Sequence, residues 1–218
     1  MKQPRSSSHH PFEGNTGQPE ADYTVPAKRS VIEYEIKKSR FIAWACPAGD
    51  RATAMSVLDE ARAEYPDARH HCWAYLIGPP HSPKTVAMSD DGEPSGTAGK
   101  PILNVLQHKD IGNVMLVVIR YFGGIKLGAG GLVRAYSHAA QLAMVQLSTK
   151  QHVQMISVEI RCNFSREQDI RHWLTTHQGS VNEVSYETAV IIQAAIPAKH
   201  QAELTRFTDN LQIQLKTR

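Results

Sequence analysis

The stretch VIRYFGGIKLGAGGLVRAY, residues 118–136, carries a strand-like apolar run into a glycine-rich turn and out again into helical spacing. Asn113 to Tyr121 reads as a buried strand, and its apolar run, Val114 to Ile119, is too short to cross a bilayer. Beyond the glycines, Leu132, Val133, Tyr136, Ala139, Ala140, Ala143 and Leu147 line one face of a long helix, and the first domain ends near Ser148. Strand, glycine loop and helix in that order leave free backbone N–H groups and a partial positive charge at the loop end of the helix. Gly123, Gly124, Gly128, Gly130 and Gly131 let a ligand approach that backbone, while Arg120, Lys126 and Arg134 add formal charge. A phosphate-containing ligand is the expected guest, although the same glycines would serve a sharp turn and close packing. The run is not a Walker loop, because no Gly-Lys-Ser/Thr ends it, and it is not a dinucleotide fingerprint, because GxGxxG is missing from the strand-to-helix turn.

Upstream, Ser89 to Pro101 is dense in turn-formers and reads as an exposed loop, followed by a short helix over Ile102 to Leu106. Its acids, Asp90, Asp91 and Glu93, suit a divalent cation or acid–base work, and equally suit capping or plain solvation. Their spacing defines no metal site, and the sequence calls for no cofactor. His71 to Ile77 reads as a strand. In the run Arg69-His70-His71-Cys72, alternation sends His70 and Cys72 to one face and His71 to the other, so three ligands cannot converge. Cys72, alternating with Ala74 and Leu76, is expected to be buried and unreactive. Earlier still, Val31 to Lys37 and Arg40 to Cys46 form a hairpin about Lys38-Ser39. A helix then runs from Asp50 through Met55, Leu58, Ala61 and Tyr65 to Pro66. Lys37, Lys38, Arg40, Phe41 and Trp44 suit RNA by phosphate pairing and stacking, or a strand edge guarded by lysines. Residues 1–29 read as a flexible tail.

Downstream of Lys150 the pattern is strand (153–162), helix (166–176), strand (180–186), strand (189–196), helix (198–210) and strand (211–215). This βαββαβ order is the ferredoxin-like split unit, assigned to residues 149–218. His177-Gln178-Gly179 is expected to end its first helix with a left-handed glycine, and Pro197 to open its second. The fold class is therefore α+β with two domains, the first spanning 30–148. Composition agrees: 218 residues, 41% hydrophobic and 21% charged, suffice for real cores, and a net charge of +3 is no strongly nucleic-acid-binding signature. Three cysteines without a CxxC pair suggest neither disulfides nor a zinc knuckle, and no apolar signal-peptide core begins the chain. A cytoplasmic protein with no membrane partner is expected.

Four segments together resemble the YigZ/IMPACT family: Lys37-Lys38-Ser39-Arg40-Phe41, Asp67 to Cys72, Ser89 to Pro101, and Val118 to Tyr136. The carboxy-terminal segment is similar to the second domain of its bacterial members. The resemblance implies a first domain with the left-handed βαβ fold of elongation factor G domain four and of GHMP-type kinases, and a second like domain five of that factor. Eukaryotic relatives, which carry an amino-terminal RWD domain that these residues lack, regulate translation by competing for a ribosome-associated activator of a stress kinase. Three functions are open at this stage. One is a non-enzymatic translation-associated regulator, binding RNA, a ribosome or a translation-associated protein through Arg69, His70, Arg120, Tyr121, Lys126, Arg134 and the glycine loop. Another is a small-molecule or nucleotide-dependent enzyme related to GHMP-type kinases, using Asp90, Asp91 or Glu93, although Gly130-Gly131-Leu132 replaces the serines that such a phosphate loop supplies. A regulatory adaptor acting through the second domain is the third. No catalytic set is identified.

Overall fold

The computed structural model describes residues 22–217. The chain divides into two compact units, one of Asp22–Val153 and one beginning at Gln154. In the first, the order is β1 (Tyr23–Pro26), β2 (Ser30–Ile36), β3 (Ser39–Pro47), α1 (Arg51–Glu64), β4 (His70–Ile77), β5 (Thr85–Ser89), α2 (Gly99–Gln107), β6 (Val114–Tyr121), α3 (Ala129–Val145) and β7 (Thr149–His152).

Five of these strands form one sheet in the order β2-β3-β6-β4-β5, every neighbouring pair antiparallel. Strands β3 and β4 are both antiparallel to β6 and so parallel to each other, which is why a crossover helix, α1, must connect them. Side-chain alternation then builds two cores. Phe41, Ala43, Cys72, Ala74, Leu116 and Val118 face α2 and α3. Ile42, Trp44, Tyr75, Met115, Val117 and Ile119 face α1. Central β6 is buried from Val114 to Arg120, which explains its unbroken apolar run. Asp50 caps α1 by accepting from the Thr53 N–H at 2.7 Å.

Several boundaries differ from the sequence reading. Of the expected tail over 1–29, residues 1–21 lie outside the described residues, but Tyr23–Pro26 is a strand paired with β7. Its short, part-polar sequence has no periodicity to announce it, and a partner more than a hundred residues away supplies the order. Thr85–Ser89 is also a strand, pairing β4 at the sheet edge, where Val86 and Met88 stay exposed and no alternation signals burial. Helix α2 starts at Gly99, with Lys100 and Pro101 in its first turn, where proline's missing N–H is harmless.

The second unit runs β8 (Met155–Cys162), α4 (Glu167–Thr176), β9 (Ser180–Tyr186), β10 (Val190–Pro197), α5 (Gln201–Asn210) and β11 (Gln214–Thr217), with 3-10 turns at Phe164–Arg166 and Ala198–His200. The sheet order β11-β8-β10-β9 makes it ferredoxin-like. Its core gathers Val158, Ile160, Ile170, Leu174, Ile192, Ile196 and Leu204. The left-handed residue after α4 is Gln178, at φ 59°, rather than Gly179. Gly179 instead donates its N–H to the Leu174 carbonyl at 2.7 Å.

Val25, 6% exposed, tests whether β1 belongs to the first unit. Val25→Asp would take a carboxylate out of water at this buried position and should lower stability by about 2–4 kcal/mol in chemical denaturation. A change within experimental error would mean that this strand is detached in solution.

Candidate functional site

The acidic loop after β5 folds around its own first acid. The Asp90 carboxylate accepts backbone N–H groups from Gly96 at 2.8 Å, Ala98 at 2.9 Å and Gly99 at 2.8 Å, closing the loop onto the start of α2. Burial alone pushes the Asp90 carboxyl upward, but the amides of Gly96, Gly99 and Ala98 outweigh it and hold the group below its ordinary value. Asp91 accepts the His71 N–H at 2.7 Å and pairs with Arg62 at 3.3 Å. Its carbonyl accepts from His70 Nδ1 at 2.9 Å.

Glu93 turns inward. Its side chain is 4% exposed, and Oε1 accepts from Arg120 Nη1 at 2.6 Å and from the Tyr136 hydroxyl at 2.8 Å, with His70 Nε2 at 4.0 Å. Arg120 lies between the rings of Phe41 and Phe122, at 5.5 and 5.7 Å, and donates from Nη2 to Ser39 Oγ. Ser39 Oγ also accepts the Gly123 N–H, so the acidic loop is tied through Glu93, Arg120 and Ser39 to the first glycine of the second loop. Cys72 completes the network, its single S–H shared between the Asp90 carbonyl at 2.9 Å and the Tyr136 oxygen at 3.3 Å. Burial drives both the Cys72 thiol and the Tyr136 phenol well above their ordinary values, so each stays protonated as a donor.

This geometry corrects part of the sequence reading. Arg120 is a buried, neutralised member of the core network rather than an open phosphate contact. Tyr121, one residue on, falls to the opposite face of the sheet, packing with the α1 core and under Arg40 at 5.6 Å. Asp90, Asp91 and Glu93 are occupied by backbone amides or cations, which accounts for their clustering without a metal. Phe41 and Trp44, 0% and 1% exposed, are core residues and present no stacking surface. His70 belongs to the Asp91–Glu93 clasp, and exposed Arg69 precedes it at the start of β4.

The other candidates converge around the N-terminus of α3. Gly128, at φ 72° and ψ 165°, precedes the helix in a conformation glycine alone adopts readily, and no side chain caps it. The first intrahelical bond is Leu132 N–H to the Gly128 carbonyl, which leaves the amides of Ala129, Gly130 and Gly131 open. The Arg134 Nη1 lies 3.6 Å from where a Cβ on Gly130 would sit, so this guanidinium folds back over the open turn. Arg134 and Lys37 both line a groove of about 530 Å³ with Tyr34, Leu127, Gly131 and His138. Lys37 and Lys38 form the β2–β3 turn with φ 48° and 63°, a conformation normally given to Asn-Gly. Gly123 packs against that turn so closely that a side chain there would collide with the Lys38 carbonyl. Lys126 and Gly124 are exposed in the loop between. Among the described residues, no carboxylate pairs with Lys37, Lys38, Lys126 or Arg134. Phe122, Ile125 and Val133 stand 50%, 44% and 38% exposed along the same edge. Sequence reasoning passed over Phe122 and Ile125, which sit in a glycine loop with no regular element to bury them, and it placed Val133 on the inner face of the helix, whereas that face is Leu132, Ala135, Tyr136 and Ala139 and Val133 stands outside it.

A sheet with helices on both faces, a clasped acidic loop and a glycine-opened helix, followed by a ferredoxin-like unit, define the class to which the chain belongs. Residues 37–144 match the family described as Impact N-terminal domain, and residues 160–211 match one described as domain of unknown function DUF1949. The chain is 38% identical to IMPACT family member YigZ of Escherichia coli K12, over 84% of its length and 90% of the relative's. It is 36% identical to an IMPACT family member of Haemophilus influenzae, over 89% and 97% respectively. A solved structure described only as an hypothetical protein shares 37% identity at a TM-score of 0.68, covering 89% of this chain and 96% of that one. The chain belongs to the IMPACT family.

Two stability experiments test the clasp. Arg120→Met strands a buried carboxylate and should cost about 3–5 kcal/mol, whereas the double variant Glu93→Leu/Arg120→Met should recover much of that loss. If single and double variants are equally destabilised, packing rather than charge explains the site. Asp90 has a depressed folded-state pKa, so its contribution is present above the ordinary value of 3.8 and is lost as pH falls through the folded value. The stability gap between wild type and Asp90→Asn should therefore be about 1–3 kcal/mol at neutral pH and close progressively below about pH 4.

Proposed function

We propose that the chain is a non-enzymatic, translation-associated protein that binds RNA, on or off the ribosome, through the edge around the N-terminus of α3. The observation that carries this reading is Arg134 folded back toward Gly130 at the uncapped first turn of α3, with Lys37 on the same groove and, among the described residues, no carboxylate paired with either. Backbone amides and a helix N-terminus receive one phosphate, while separate cations spaced along an edge suit a chain of them. Phe122 offers an exposed aromatic face beside the loop, and single-stranded bases stack on such faces.

Enzymatic phosphate chemistry has less support. Asp90, Asp91 and Glu93 already hold amides or cations, which leaves none free as base or metal ligand without opening the fold. A reducing, cytoplasmic setting is part of the proposal, and Cys46, Cys72 and Cys162 are free and buried. No helix among the described residues is long and apolar enough to cross a membrane.

Titration of a labelled single-stranded RNA across salt concentrations tests this. Lys126→Ala/Arg134→Ala should weaken binding by about 1–3 kcal/mol and lower the log–log salt slope by about 1.4–1.8, with thermal unfolding nearly unchanged because both charges are exposed. Unaltered affinity and slope in a folded variant would remove the α3 edge as the binding surface.

A further inference from the structure

The second unit holds a side-chain cluster that the α3 edge does not use. His177 follows the last turn of α4, His200 closes the 3-10 turn before α5, and Glu203 lies in the first turn of α5. One ligand atom from each lies within 4.8 Å of the others. His177 Nε2 is 3.2 Å from Glu203 Oε1, and His200 Nδ1 is 3.2 Å from Glu203 Oε2. Tetrahedral zinc, with bonds of about 2.0–2.1 Å, holds its ligand atoms about 3.3 Å apart. Each histidine therefore already stands near the required spacing from the carboxylate, and small side-chain rotations would bring the two imidazoles together.

The protonation pattern adds a second argument. His177 Nδ1 lies 2.8 Å from the Trp173 carbonyl, which can only accept, so Nδ1 carries a proton. In a neutral ring, Nε2 then points its lone pair at a carboxylate oxygen, and two acceptors face each other. A hydrogen or a cation must bridge them. A hydrogen between His177 and the carboxyl group, with a neutral His200 donating its own Nδ1–H to Oε2, would link the groups in pairs, whereas one cation would bind all three at once. Fixing a ligand histidine through Nδ1–H to a backbone carbonyl is a common supporting contact in metal sites. The ring is further fixed by stacking on Trp173, at 4.0 Å between centroids and 13° between planes. Glu203, 49% exposed at its side chain, leaves a route in from solvent.

We propose that His177, His200 and Glu203 bind a divalent transition-metal ion of the zinc class, with water in the remaining position. Two imidazoles and one carboxylate select such an ion over magnesium or calcium, which prefer all-oxygen shells. Bound there, the ion would staple the end of α4 to the start of α5.

The test is calorimetric titration of Zn²⁺ into the tag-free, metal-stripped full chain, beside His200→Gln and Glu203→Gln. The variants leave the Trp173–His177 stack in place. One Zn²⁺ per chain at about micromolar affinity is expected, weakened at least tenfold in each folded variant, and undisturbed by excess Mg²⁺. Co²⁺ should give the visible absorption of a four-coordinate site in wild type and not in the variants. Absence of tight binding, or equal binding by wild type and both variants, would overturn the proposal, as would displacement by Mg²⁺. The chain has 11 histidines, so the variants separate this site from adventitious binding at the others.

Discussion

Glu93 and Arg120 meet at 2.6 Å with side chains only 4% and 6% exposed, and the acidic loop and the glycine loop of the first unit are arranged around that contact. Either charge alone would be expensive to bury, so neither the acidic loop nor the end of β6 can settle without the other. Their meeting holds Tyr136 of α3 by a hydrogen bond and Ser39 of β3 by another, and Ser39 in turn receives the Gly123 amide. Sheet, acidic loop and glycine loop are thereby fixed to one point. The cationic edge can be left open to solvent because the structural charge balance is completed inside.

That division separates two kinds of charge which look alike in sequence. Arg120 and Arg134 are fourteen positions apart in the same glycine-centred stretch, yet one is consumed by the core and the other lies beside Gly130 at the exposed first turn of α3. Burial periodicity decides between them. Arg120 continues the inward alternation of Leu116 and Val118 on β6, whereas Arg134 falls on the outer side of a helix whose inner face is Leu132, Ala135, Tyr136 and Ala139.

The elements with strong periodicity were legible before any coordinates: β6, α3, α1 and the whole ferredoxin-like order. What escaped were elements made by long-range pairing. Strands β1 and β7 order each other across more than a hundred residues, and β5 is defined by β4 rather than by its own pattern. At the site, the glycine loop and Arg134 could be read because helix starts and charges are local signals. The burial of Glu93 could not, since an acid in a turn-rich loop looks solvated until a distant arginine reaches it. The His177–His200–Glu203 cluster was hidden for the same reason, because the second histidine comes twenty-three positions after the first.

Whether the N-terminus of α3 and the turns packed beside it meet phosphate-bearing chains, as proposed, is decided by amide chemical-shift mapping. A short single-stranded RNA would be titrated into the isotopically labelled full chain. The largest shifts are expected at Lys37, Lys38 and Gly124 through Leu132, with the buried Glu93 and Arg120 amides moving little. Shifts confined to the ferredoxin-like unit, or spread evenly over surface lysines, would contradict the proposal.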